Sequence, residues 1–182
     1  IRYYANGRKE EFHYVDDRIE GKSILYGKDF TFETYNVNGI AQGDAIWTHN
    51  NGDYIKTKLV DGIRQGPSEA YYKEYTEFSN YEDGVLNGKA SRTIKTGSVI
   101  EFNYVNGIEN GPASFTYSNG NVEKFTYVDG ILQGKSIYEN KVSGYKEERI
   151  YKDGIKQGSA LKEFYNGNRL DFRYVDDVAQ GR

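Results

Sequence analysis

Glycine spacing is the feature that most restricts what this chain can become. The phrase Tyr127-Val128-Asp129-Gly130-Ile131-Leu132-Gln133-Gly134 recurs, with substitutions, along the whole sequence. Its first glycine falls at Gly39, Gly62, Gly84, Gly107, Gly130 and Gly154, and Asp17 and Asp177 hold the place in the outermost copies. Successive copies stand 22, 23, 22, 23, 23, 24 and 23 residues apart. A second glycine follows four residues later in every copy, from Gly21 to Gly181. A third sits midway, usually after Asn, as at Gly52, Gly120 and Gly167. These frame positions take 20 of the 21 glycines, and Gly27 lies where the first repeat needs its middle turn. A fixed period of this length means one supersecondary unit per repeat.

The neighbours of the frame are as regular. Asp or Asn always precedes the first frame position, and Ile or Val follows it except at Arg18. An amide stands before the second glycine in seven of eight copies, with Glu20 the outlier. Three residues ahead of the first position is Tyr in six of eight copies: Tyr14, Tyr81, Tyr104, Tyr127, Tyr151 and Tyr174. Two further back is Phe in four: Phe12, Phe102, Phe125 and Phe172.

Asp-Gly and Asn-Gly between β-branched and aromatic residues are a strong hairpin signal, because glycine accepts positive φ. Two such turns per repeat predict two strands. No segment carries a helical period, and glycine recurs too often for helices to survive. The expected fold is all-β: an elongated single-layer antiparallel β-meander of about eight hairpin repeats, with about sixteen strands and no substantial helix. One array over residues 1–182, starting and ending mid-repeat, is the expected domain organisation.

A 23-residue period would flip each Tyr to the face opposite the last, since side chains alternate with period two. A two-residue loop at Asp-Gly and a three-residue loop ending in glycine at the middle turn restore parity. The two 22-residue repeats lack the longer turn and carry Gly27-Lys28 and Lys73-Glu74 there; the 24-residue repeat has one residue more near Lys141. One face then holds the Tyr and Phe positions, the second glycine, and a small residue two beyond it: Ser23, Ala45, Ser68, Ala90, Ala113, Ser136 or Ala160. Phe125 is expected opposite Gly134, and Tyr127 opposite Gly111. The other face is Val and Ile near the Asp-Gly turns and charged in the middle, as at Lys56, Glu101, Lys124 and Asp171, and is expected to be solvated.

Composition narrows the function classes. With a net charge of −3 and a pI near 5.5, the chain lacks a basic footprint for nucleic acid, and anionic lipid is a poor match. No cysteine is present, so neither a disulfide framework nor a thiolate metal site is available. His13 and His49 sit in no ligand or triad spacing. Glu10-Glu11 and Glu147-Glu148 are adjacent on strands, so each pair divides between faces. The repeated Asp before glycine reads as turn chemistry, because Asn replaces it freely. No catalytic, cofactor or metal site is expected. The chain opens on Ile1 rather than Met, which suggests a piece of a longer protein and leaves cytoplasm or cell surface open.

Gly-x-x-x-Gly, aromatic residues and Asn/Asp-Gly turns at this period resemble MORN repeats, and more closely their bacterial variant, from Tyr3 to Gly181. Two departures stand out. Ser or Ala occupies the family's usual third glycine, and the aromatic-x-Gly opening is missing. The resemblance implies a hairpin array serving protein or lipid contacts, often as a dimer, with some bacterial members acting as antitoxins or immunity proteins. A second resemblance, to choline- and glucan-binding hairpin repeats, is weakened by the single Trp47.

The aromatic face is the candidate partner-binding site: Tyr14, Trp47, Tyr81, Phe102, Tyr104, Phe115, Phe125, Tyr127, Tyr138, Tyr151, Phe172 and Tyr174. The frame position four beyond the second glycine varies most there: Leu25, Trp47, Ala70, Arg92, Phe115, Tyr138 and Lys162. The expected function is a non-catalytic module binding a protein or peptide, with antitoxin or immunity activity its most concrete form. A scaffold or adhesion segment of a bacterial surface protein and a carbohydrate or cell-wall binder are the alternatives. A homodimer is compatible with all three.

Overall fold

The structure is a computed structural model that describes residues 1–181. Among them it is all-β, with 22 strands and no helix. The chain divides into two compact units, Ile1–Gly88 and Lys89 onward. Within each, successive strands pair antiparallel as a meander of hairpins.

The turns follow the residues that make them. Pairs such as Val37 with Ile40, Val128 with Ile131 and Lys152 with Ile155 enclose two-residue loops. Both central residues have positive φ, as at Asn38 (53°) and Gly39 (82°). That is the type I′ turn, whose twist matches the flanking strands. It explains why the residue before glycine is always Asp or Asn, the side chains that best tolerate the left-handed region. At the middle turn the Gly120 amide donates to the Tyr117 carbonyl, and the Tyr117 amide to the Asn121 carbonyl, at 2.9 Å each. This is a three-residue loop closed by a left-handed glycine (φ 83°), and the same bonds recur at Gly52, Gly97 and Gly167.

The short repeats turn on two residues, as their length requires. The first uses Lys28-Asp29 rather than Gly27-Lys28: the Gly27 amide donates to the Phe30 carbonyl. Gly27 serves packing instead, because a Cβ there would lie 2.3 Å from the Phe30 ring. The long repeat has a four-residue loop between Asn140 and Tyr145.

The strand number exceeds sixteen because a bulge at the second glycine splits a strand in five repeats, those of Gly66, Gly88, Gly111, Gly134 and Gly158. Tyr127 pairs with Leu132, and Lys124 with Ile137, so three steps on one strand match five on the other. Gly134 lies inside this bulge at φ 76°, and its counterparts from Gly21 to Gly158 are also left-handed. Phe125 lies within this bulge: the register of Tyr127 with Leu132 carries Gly134 opposite it, as expected, and the register of Lys124 with Ile137 carries Ser136. Gly111 pairs with Tyr127. Two extra residues leave the alternation of faces unchanged, so the Tyr ladder survives the shift.

The amide beside that glycine clips one repeat to the next. Gln42 donates to Asp61 (2.6 Å), Asn110 to Asp129 (3.2 Å) and Gln133 to Asp153 (2.8 Å). Each acceptor is the turn Asp of the following repeat. The turn glycine donates back, as Gly62 to the Ala41 carbonyl and Gly130 to the Glu109 carbonyl, both at 2.9 Å.

The core is the ladder face. Ala45, Leu59 and Ala70 in the first unit, and Ala113, Phe102, Tyr104, Tyr151 and Ala160 in the second, are buried there. The Phe-x-Tyr copies repeat one T-shaped contact. Ring centroids lie 4.9 Å apart for Phe12–Tyr14, 5.1 Å for Phe102–Tyr104, and 5.3 Å for Phe125–Tyr127 and Phe172–Tyr174. Such a pair contributes about 0.5–1.5 kcal/mol beyond its burial. On the other face Val and Ile beside the turns are exposed, from Val15 to Val178.

Candidate binding surface

In the second unit the ladder face is occupied by its own side chains. Ser136, on the strand Gly134–Asn140, is 1% exposed because longer groups from both flanking strands close over it. Glu123 Oε1 accepts from Ser136 Oγ (3.0 Å), Arg149 Nη1 (3.3 Å) and the Tyr151 hydroxyl (3.2 Å). Glu147 Oε1 accepts from Arg149 Nε and the Tyr174 hydroxyl, both at 2.7 Å, and its Oε2 lies 3.3 Å from Lys162 Nζ. Arg149 also lies over the Tyr138 ring, 4.3 Å from its centroid. The Glu123–Tyr151 and Glu147–Tyr174 bonds each reach across an intervening strand. The small frame residue is the floor that permits this reach.

The two carboxylates balance Arg149 and Lys162. Burial pushes the Glu147 carboxyl up, but hydrogen bonds from Tyr174 and Arg149 and the nearby cations outweigh it and hold the carboxyl below its ordinary value. Burial, reinforced by these carboxylates, pushes Tyr117 and Tyr174 up to about 12 and raises Tyr151 as well. A network with both charges paired is a structural core, because unpaired charge at this depth would be strongly destabilising.

The first unit differs. Two of its repeats lack the ladder aromatics and carry Thr34 with Asn36, and Thr57 with Leu59, all buried. Asn36 donates to Ser23 Oγ at 2.8 Å, while Thr57 Oγ1 has no hydrogen-bond partner. Arg64 lies between the Trp47 and Tyr81 rings (4.5 and 5.1 Å) and donates to the Tyr81 hydroxyl (2.8 Å), and Trp47 stacks on Phe32 at 4.0 Å. Here aromatics also stand on the opposite face. Tyr35 and Phe78 are each 53% exposed, and Tyr71 is exposed while stacking on Tyr54.

Tyr35 and Phe78 line an open cavity of about 950 Å³ on that face. Its lining includes the apolar Ile46 and Pro67, three lysines, Lys22, Lys56 and Lys58, and three carboxylates, Glu33, Asp44 and Glu69. Lys22 pairs with Glu33 at 2.5 Å, and Glu69 accepts from the Tyr54 hydroxyl at 3.1 Å. Asp44 and Lys58 face each other in register, and neither is engaged by another described side chain.

The sequence-predicted residues therefore share the ladder face in each unit but differ in accessibility. Phe102, Tyr104 and Tyr151 are buried; Trp47, Tyr81, Phe115, Phe125, Tyr127, Tyr138, Phe172 and Tyr174 are half-buried; Tyr14 is exposed. His13 and His49 are exposed strand residues, and among the described residues no group of His, Cys, Asp or Glu is arranged to hold a metal ion. Sequence reasoning missed the cavity, although a signal for it exists. Six residues before the first frame position stands Glu11, Glu33, Lys56, Phe78, Glu101, Lys124, Glu148 or Asp171. Seven of these are charged, and Phe78 alone breaks the row.

No protein-family model matches the chain, and no curated protein matches it. Among solved structures, a point mutant of the TCP10 domain of CPAP from Danio rerio aligns over 100% of this chain and 98% of its own, at 13% sequence identity and a TM-score of 0.28. At that score the likeness carries no argument.

Proposed function

We propose that the chain is a non-catalytic repeat module of MORN type that holds a protein or peptide partner, and that contact is centred on the cavity of the first unit. The observation that supports this is the break in the repeat at Phe78. A row that is otherwise charged gives way to a phenylalanine, half in water, on the wall of a cavity whose volume suits a ligand site. The ladder face is a weaker candidate, because in the second unit its polar groups are already satisfied internally.

Two variants test the assignment, each first shown by circular dichroism to keep the wild-type fold. Phe78→Lys restores the row's usual chemistry opposite Glu69. Phe115→Ala with Tyr138→Ala strips the ladder face instead. Immobilised wild type and the ladder variant should retain the same partner, identified and then re-bound in purified form, while Phe78→Lys loses it. Equal retention by all three chains would exclude the cavity as the contact.

A further inference from the structure

Resting on that reading, we infer that the cavity takes an extended peptide segment of about six residues, with an apolar side chain at each end and no net charge. Length comes from the strand positions. Tyr35 lies on Phe30–Val37 and Phe78 on Tyr75–Glu82, with Ile40–His49, Tyr54–Val60 and Gly66–Tyr72 between them in the meander. Four intervals of about 4.8 Å separate the two rings by roughly 19 Å. An extended chain covers that span in about six residues at roughly 3.3 Å each.

Chemistry sets the rest. An exposed aromatic wall at each end offers apolar side chains the area that water otherwise wets. The three lysines and three carboxylates of the lining cancel, which disfavours both a polyanion and a strongly basic segment. Midway, Asp44 offers an unengaged acceptor and Lys58 an unengaged donor, directly opposite each other. A peptide group supplies the matching pair: its N–H donates to the Asp44 carboxylate and its carbonyl accepts from the Lys58 ammonium.

A randomised heptapeptide library displayed on phage, panned against the whole chain, tests the inference. The enriched sequences should be neutral and apolar at both ends. Synthetic copies should shift the amide resonances of Tyr35, Asp44, Ile46, Lys58 and Phe78, and should bind at least tenfold more weakly to Phe78→Lys and to Tyr35→Thr. No enrichment, or a charged consensus, overturns the peptide assignment. Maltohexaose serves as the rival probe: if it alone shifts these resonances, the peptide class falls and the binding cavity stands. Enriched peptides that bind Phe78→Lys as tightly as wild type overturn both.

Discussion

The two units share one repeat and spend their aromatic residues differently. In the second unit Phe and Tyr gather on the ladder face with Glu123, Glu147, Arg149 and Lys162, and the opposite faces of its strands carry residues such as Lys124, Thr126, Lys146 and Ile150. In the first, two repeats give up the ladder aromatics, and Tyr35, Tyr54, Tyr71 and Phe78 stand on the other face. The type I′ turns and the glycine bulges recur in both, and only the length of the middle turn differs. Backbone geometry in this fold is thus fixed by the glycine frame, while each face's chemistry is free to vary; one unit uses that freedom for cohesion, the other for an accessible surface.

The sharpest way to break this contrast is to remove the cation at the centre of the second unit. Arg149→Ala leaves Glu123 and Glu147 without it, and breaking a buried pair costs about 3–5 kcal/mol. Urea unfolding should report that loss, and hydrogen exchange should place it in residues 89–181. A loss under about 1 kcal/mol would mean that the carboxylates are wetter than their burial implies.

Acid and alkali should act on the same unit. The depressed Glu147 carboxyl contributes stability that is full above its ordinary pKa of 4.5 and lost as pH falls through the lower folded value. Tyr117 and Tyr174 act at the other end. Their stability contribution is full below the usual 10 and lost as pH rises through about 12. Exchange measured against pH should therefore show the second unit loosening first in both directions. A first unit that loosens earlier at either end would contradict the comparison.

Smaller effects sharpen it. Gly134→Ala meets open space but a left-handed backbone, so about 1–2 kcal/mol of strain is expected. Thr57→Val in the first unit should instead stabilise by about 1 kcal/mol, because it removes a buried hydroxyl that has no partner. If Thr57→Val destabilises, the hydroxyl is serving a water or a ligand. Smallest of all, Phe78→Lys should leave the urea midpoint within about 0.5 kcal/mol of wild type, as an exposed change in a charged row does.

Legibility followed the same division. Turn types, loop lengths and the common face of Tyr127, Tyr151 and Tyr174 were readable because glycine and Asn or Asp act on their own backbone, within a few residues. The bulge at Gly134 was not: its two extra residues preserve parity, so no pattern of faces betrays them. The inter-repeat clip was half readable, since the recurring amide was visible but its acceptor 19 or 20 residues away was not. Arg149 stands where four other repeats carry Phe, and nothing local distinguishes a charged residue in a core network from one in water.

By itself, then, the sequence determined the repeat, the hairpins and the alternation of faces, because those depend on φ preferences and a period of two. Only the tertiary structure decided which face is filled and which is open. That outcome depends on whether side chains from strands two apart can meet over a Ser or Ala floor, as Glu123 and Tyr151 do across Ser136. It also depends on whether exceptions such as Tyr35 and Phe78, 43 residues apart in the chain, come to line one cavity. Both are distances between strands, and the spacing of residues along the chain does not encode them.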